Sequence, residues 1–244
     1  MSTIAICLAL FVPVIISGVS IFLLKPQNKN NIKLLLSFSG AFLFAICVLH
    51  LIPEVYISAD SDIGLYILIG FFFQILLEYF SEGIEHGHIH VHKDHSHAFP
   101  ITIMISLCVH SFLEGMPLAN VEADHTHQGY YSNQLLAGII LHNIPISIAL
   151  MSMLLQSGIK KSAALFYLII FALMAPMGSL FSHYIGTQMV GDISIYFNKI
   201  MAVVIGIFLH ISTTILFEST ENHRFNLYKM LTIIAGAIVA LIGS

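Results

Sequence analysis

The sequence predicts an all-α integral membrane protein, built as a bundle of eight transmembrane helices. Hydrophobic residues make up 57% of its 244 residues, whereas charged residues make up only 9%. A water-soluble domain of this length could not hide so much apolar surface, because even a well-packed core leaves much of the chain in contact with water. We therefore expect residues 1–244 to form a single transmembrane domain.

Eight apolar runs define the helices in chain order. Each is about 18 to 25 residues long, which is the length that crosses a hydrocarbon layer about 30 Å thick. Polar and charged residues of the kind found in loops separate the runs. The predicted helices 1 to 8 are residues 3–24, 34–57, 62–84, 99–120, 132–156, 163–187, 195–218 and 226–243.

The basic residues orient this bundle. The chain has nine lysines and arginines, and each one except Lys199 lies in or beside the loops that follow helices 1, 3, 5 and 7. Because cytoplasmic loops are enriched in Lys and Arg, we expect these loops to face the cytoplasm and both termini to face outward. The residues on the cytoplasmic side are Lys25, Lys29, Lys33, Lys93, Lys160, Lys161, Arg224 and Lys229.

A short internal match indicates an inverted repeat. Gly40-Ala-Phe-Leu lies in helix 2, and Gly206-Ile-Phe-Leu lies in helix 7, which is expected to run in the opposite direction. Glu54 and Glu218 follow these glycines by 14 and 12 residues. Oppositely directed repeats are common in membrane proteins that move a solute. Helices 1–3 and 6–8 would then form two related halves around helices 4 and 5.

Helices 4 and 5 carry candidate metal ligands at membrane depth, where ionisable groups are expensive and usually functional. His110 and Glu114 are four residues apart, so they share one face of helix 4. His142 and Asn143 lie in helix 5. Two imidazoles and a carboxylate from facing helices suit a divalent ion such as zinc. The alternative is that His110 and Glu114 only hydrogen-bond each other as a packing contact.

Two prolines favour the metal interpretation. Pro145 cannot donate a hydrogen bond to the carbonyl of Leu141, and Pro117 cannot donate one to the carbonyl of Leu113. Irregular backbone at membrane depth is tolerated mainly where it lines a cavity. Each freed carbonyl would neighbour a candidate ligand, so the prolines predict a place where an ion can pass.

Further ionisable residues lie in the predicted spans. His50 and Glu54 repeat the four-residue spacing near the outer end of helix 2, where snorkelling to water would explain them equally well. Glu78, His210 and Glu218 are single groups, and each could be a satisfied interior residue. We assign His50, Glu54 and Glu218 to an ion pathway, and Glu78 and His210 to accessory metal binding.

Two loops are rich in metal-binding side chains. The loop at residues 85–98 has six histidines within twelve residues, which is typical of a flexible chelator of zinc-like ions, although an incidental polar loop is the alternative. These are His86, His88, His90, His92, His95 and His97. A second group could collect cations at the outer mouth, unless it is only a solvated loop. It comprises Glu122, Asp124, His125 and His127.

Together these residues resemble the ZIP (Zrt-, Irt-like protein) family of divalent metal transporters. His110-Ser-Phe-Leu-Glu114-Gly115 is similar to the family's helix 4 motif, His-Asn-x-Pro-(Asp/Glu)-Gly. His142-Asn-Ile-Pro145 resembles the start of its helix 5 motif, His-(Glu/Asn/Asp)-x-Pro-(His/Glu). His50-Leu-Ile-Pro-Glu54 is like the family's helix 2 ending, and Gly206-Ile-Phe-Leu-His210 resembles a Gly-Thr-Phe-Leu-Tyr stretch in helix 7. The resemblance covers nearly the whole chain, including the eight helices, the outward termini and the His-rich cytoplasmic loop.

The chain departs from the family pattern around a second metal position. Ser111 stands where the family often has Asn, Asn143 stands where many members have an acid, and Ile146 replaces a His or Glu. The resemblance therefore implies that a second metal is absent or weakly bound. Ser111 and Asn143 join the accessory candidates.

The resemblance implies uptake of a divalent metal ion across the plasma membrane by alternating access. It maps the transport site onto His110, Glu114 and His142. Zn²⁺ is the expected substrate, and Fe²⁺, Mn²⁺ or Cd²⁺ would fit the same ligands. We expect no catalytic cofactor, no enzyme activity and no nucleic acid partner; the lipid bilayer and the metal ion are the expected partners, and a homodimer is left open.

Two other functions compete with transport. An intramembrane zinc-dependent hydrolase would need a metal-bound water and a general base, yet no His-Glu-x-x-His stretch occurs in the sequence. A metal sensor that does not transport would not need prolines beside its ligands.

Overall fold

The computed structural model describes residues 1–22, 29–57, 62–81, 83–84, 101–118, 128–188, 193–217 and 227–242. The regular secondary structure of these residues is helical throughout. Eight helices occur in the predicted order: α1 Thr3–Ser20, α2 Lys29–Ile57 (Lys29–Ile46, a π-helical turn Cys47–Leu51, then Ile52–Ile57), α3 Ile63–Ser81, α4 Ile101–Gly115, α5 Gln128–Gln156, α6 Lys161–Gln188, α7 Ile193–Phe217 and α8 Leu227–Ile242.

The described helices confirm the membrane architecture. Seven of them, α1 to α7, are long and apolar enough to cross a membrane, and α8 is a shorter apolar helix of 16 residues. The outer faces are as apolar as the inner ones: in α1, Ile4 is 73% exposed while Leu10 is buried. A helix that is hydrophobic all round suits a lipid environment.

α5 contributes to hydrophobic clusters at two levels along its length. Ile139 of α5 packs in a cluster with Leu43 of α2 and Phe208 of α7. Leu150, three turns further along α5, packs in a second cluster with Leu168 of α6. Because α5 contributes to both clusters, His142 between them is held in the interior of the bundle.

Glycines allow α3 and α7 to cross at backbone contact. A Cβ atom added to Gly70 would stand 1.9 Å from the carbonyl oxygen of Val203, and one added to Gly206 would stand 2.0 Å from that of Ile67. Helices in membranes associate closely where small residues let their backbones approach. These two positions therefore fix how α3 lies against α7.

Glycines also allow α4 and α6 to cross at backbone contact. A Cβ atom added to Gly115 would stand 2.0 Å from the carbonyl oxygen of Ala175, and one added to Gly178 would stand 1.9 Å from that of Phe112. Gly115 directly follows Glu114, so this crossing also fixes the candidate metal ligands against α6.

The helix pairings support the predicted inverted repeat. α3 packs on α7 and α2 on α8, while α4 packs on α6 and α1 on α5. In an inverted repeat, α1–α3 correspond to α6–α8, and α4 corresponds to α5. Under this correspondence the α3–α7 contact is equivalent to the α2–α8 contact, and the α4–α6 contact is equivalent to the α1–α5 contact. The positions of four glycines fit the same repeat. Gly40 of α2 and Gly206 of α7 are 166 residues apart, and Gly70 of α3 and Gly236 of α8 are separated by the same number. Each pair occupies equivalent helices of the two halves.

The structure corrects the prediction at Pro117 and shows an unpredicted π-helical turn before Pro53. Pro117 lies in a short 3₁₀ turn, 116–118, after α4 has ended, so its missing donor loosens no helix interior. Pro53 follows the π-helical turn of α2, in which the Ile52 amide donates to the carbonyl of Cys47. A wider turn before a proline relieves the clash between its ring and the preceding carbonyls. Pro145 lies inside α5, as expected.

Candidate metal centre

α4 and α5 bring three candidate ligand side chains together in the interior. One nitrogen or oxygen atom from each of His110, Glu114 and His142 lies within 4.8 Å of the others. All three residues are fully buried, each with 0% exposure. His110 Nε2 lies 3.0 Å from Glu114 Oε1, as the spacing of one helical turn predicts, and the His110 and His142 rings are 6.0 Å apart between centroids. A packing contact between His110 and Glu114 would not require His142 at this distance.

Asn143 orients the carboxylate. Its Nδ2 donates a hydrogen bond to Glu114 Oε2 over 3.2 Å. Glu114 thus faces His110 with one oxygen and Asn143 with the other. The Oδ1 atom of Asn143 is buried and makes no hydrogen bond within the described residues, so it is a further candidate ligand atom beside the cluster.

Gln74 of α3 contacts His110 on the side of the ring away from Glu114, and the sequence analysis did not predict this contact. Gln74 is fully buried, and its Oε1 lies 3.1 Å from His110 Nδ1. The sequence feature that could have indicated this role is a polar amide side chain directly after the apolar run Phe71-Phe-Phe. Such a side chain must find a polar partner in the interior, because lipid offers none.

Comparison with known proteins decides the family. A sequence model described as ZIP zinc transporter matches residues 98–243, which is more than half of the chain and includes α4 to α8. The chain belongs to the ZIP family. The predicted family membership is thereby confirmed.

Two curated ZIP relatives align with about half of the chain. Zinc transporter ZIP9-B of Xenopus laevis is 25% identical over 126 residues, which are 52% of this chain and 41% of that protein. Zinc transporter ZIP9 of Micropogonias undulatus is 29% identical over 119 residues, which are 47% of this chain and 36% of that protein. The alignments therefore span less than half the length of either relative.

The ligand set of this ZIP chain suits a divalent cation. Two neutral imidazoles and one carboxylate form an N/O set that zinc accepts in tetrahedral sites. A buried carboxylate is costly unless a cation or several hydrogen bonds compensate it. With a single carboxylate among the three ligands, a bound divalent ion would leave a net positive charge, and water or Asn143 Oδ1 would have to complete the coordination.

Two of the four predicted accessory residues, Glu78 and His210, pair with each other. His210 Nε2 of α7 lies 2.5 Å from Glu78 Oε2 of α3, and the side chains are 12% and 28% exposed. The Phe71 ring packs edge-on against the imidazole of His210. Glu78 lies one helical turn from Gln74, but neither it nor His210 belongs to the described ligand cluster.

The remaining predicted residues do not belong to the described ligand cluster or lie outside the described residues. Ser111 is buried next to His110 in α4. His50 lies in the π-helical turn of α2, and Glu54 lies in the helical segment that follows it. The residues outside the described ranges are His86, His88, His90, His92, His95, His97, Glu122, Asp124, His125, His127 and Glu218.

Proposed function

We propose that this chain takes up divalent metal ions, zinc foremost, across the membrane through the site formed by His110, Glu114 and His142. The observation that carries the proposal is the burial of three ligand side chains from two facing helices, with their donor atoms within 4.8 Å. Such a site in the interior of a helix bundle suits a solute in transit, since intramembrane ionisable groups usually mark an ion pathway.

Alternating access would expose this site to each side in turn. The ion enters from outside, exchanges its water shell for the three ligands, and leaves toward the cytoplasm. The two inverted halves, α1–α3 and α6–α8, would move around α4 and α5. A single carboxylate holds a divalent ion less strongly than two would, which favours release.

Glu78 and His210 are proposed as an accessory station for the ion on the cytoplasmic side. They lie on the side of Gln74 that faces the predicted cytoplasmic end of α3, and they offer one carboxylate and one imidazole. We expect the double variant Glu78→Ala/His210→Ala to take up zinc more slowly than wild type at equal protein density. Uptake at the wild-type rate would show that the pair is not needed.

The proposed orientation in the plasma membrane has both termini outside and the loop 85–98 in the cytoplasm. We expect a cysteine introduced by Ser2→Cys to react with a membrane-impermeant maleimide in intact cells. The variant Ser96→Cys should react only after the cells are permeabilised. The wild-type chain, with Cys7, Cys47 and Cys108, is the control for background labelling. Labelling of Ser96→Cys in intact cells would contradict the orientation.

Zinc flux into liposomes tests the proposed function. Purified protein is reconstituted with a zinc-sensitive dye inside the vesicles, and the dye signal is compared with that of protein-free vesicles. We expect saturable zinc entry that depends on the protein. Zinc binding to the purified protein without any flux would contradict transport and favour a sensor.

A further inference from the structure

Gln74 joins a third helix to the metal centre. Its amide is fully buried, and its Oε1 lies 3.1 Å from Nδ1 of His110, on the opposite side of the ring from Glu114. About one helical turn away, α3 and α4 are held together by a second hydrogen bond, from Ser106 Oγ to the carbonyl oxygen of Leu77 over 2.6 Å. The His110 ring is therefore held between two helices.

The chemistry of this contact determines which ring nitrogen of His110 can bind a metal ion. An amide oxygen only accepts hydrogen bonds, so Nδ1 must carry the proton. In the neutral ring the lone pair then belongs to Nε2, which faces Glu114 Oε1 at 3.0 Å. A cation must lie between two acceptor atoms at this distance. In the metal-free protein a second proton on His110 can fill that role, and a bound metal ion would take the place of that proton.

We propose that Gln74 is a positioning residue, which holds His110 in the orientation and tautomer that present Nε2 to the transported ion. The inference rests on the proposed function, because it assumes that His110 is a metal ligand. Histidine ligands generally donate their second N–H to such an acceptor, and the acceptor sets both tautomer and basicity.

The neutral amide also matters for a transporter. A carboxylate at this place would add a negative charge next to the ring and make His110 a stronger ligand. An amide fixes the ring without adding that charge. Gln74 thus favours an ion that binds in a defined geometry and still dissociates.

Two substitutions of Gln74 separate these effects. Gln74→Leu keeps much of the volume and removes the acceptor, so we expect the Kd for zinc to rise roughly 10- to 100-fold. Gln74→Glu keeps an acceptor and adds charge, so we expect tighter zinc binding and a lower maximal transport rate. Ser106→Ala is the matched control, because it removes a second buried hydrogen bond between α4 and α3 and should leave the Kd unchanged.

Zinc binding is measured by titration calorimetry on the full chain with the six loop histidines changed to serine, so that the loop does not contribute. Spectra of ¹⁵N-labelled histidine in the metal-free protein report the tautomer, with His110→Gln used for assignment. We expect the Nδ1-protonated form of His110 in wild type and in Ser106→Ala, and a mixture of tautomers in Gln74→Leu.

Each outcome decides for or against the inference. A Kd for Gln74→Leu within about threefold of wild type would overturn it, because positioning partners of metal ligands contribute more than that. If Gln74→Leu does not fold, Gln74→Glu decides, and binding no tighter than wild type overturns the inference. Wild-type protein that binds no zinc would overturn both this inference and the proposed function. Binding that His110→Ala abolishes and Gln74→Leu leaves intact would overturn this inference alone.

Discussion

Glu114→Gln is expected to reduce zinc transport by more than about 100-fold in kcat/KM, since even partners of metal ligands contribute 10- to 100-fold. The substitution keeps the shape of the side chain and removes the one carboxylate of the described cluster. Two neutral imidazoles and an amide cannot offset the cost of stripping water from a divalent ion inside the bundle. The measurement is zinc flux into liposomes at matched protein density.

The control for this prediction is Ser179→Ala. Ser179 is fully buried in α6, and it lies outside the ligand cluster. The zinc flux of Ser179→Ala should equal that of wild type. The zinc flux of His110→Ala should be reduced as strongly as that of Glu114→Gln. Wild-type flux in both Glu114→Gln and His110→Ala would rule out this site as the route of the ion.

Gly178→Ala is expected to prevent stable folding. The added Cβ atom would stand 1.9 Å from the backbone carbonyl oxygen of Phe112, and neither helix can yield by a side-chain rotation. Overpacking of a core usually costs about 1–3 kcal/mol, and a clash between two backbones should exceed that range. Because Phe112 lies between His110 and Glu114, any separation of α4 from α6 would also disturb the metal ligands.

Size-exclusion chromatography and thermal unfolding in detergent measure this effect. We expect Gly178→Ala to elute mainly as aggregate or to unfold at a much lower temperature than wild type. Gly64→Ala is the matched control, since among the described residues its Cβ atom would meet only the hydroxyl of Tyr56, at 3.2 Å. A Gly178→Ala protein as stable as Gly64→Ala would show that the α4–α6 crossing is not as tight as described.

The sequence predicted the helices well because the bilayer constrains them strongly. Apolar runs of the required length gave all eight helices in order, with ends shifted by up to five residues. The π-helical turn Cys47–Leu51 was not predictable in this way, since it depends on how the chain accommodates Pro53 within a packed helix. The position of Pro117 was misjudged because hydropathy does not show where α4 ends within an apolar run.

The site was predictable where its geometry is local. The contact between His110 and Glu114 follows from one helical turn, and the approach of His142 was predicted from its position at membrane depth in the next helix. The contacts that α3 makes with α4 and α7 could not be predicted in this way, because they join residues far apart in the sequence. Gln74 with His110, and Glu78 with His210, join residues 36 and 132 positions apart, so they follow from helix packing that no spacing in the sequence reveals.

X-ray absorption at the zinc edge tests the central claim most directly. The sample is the full chain with its six loop histidines changed to serine, loaded with one equivalent of zinc. The proposed site predicts one zinc per chain, with two imidazole nitrogens and oxygen at about 2.0–2.2 Å, and no such spectrum from His110→Ala/His142→Ala. Sulfur at about 2.3 Å, or an unchanged spectrum in the double variant, would show that zinc binds elsewhere.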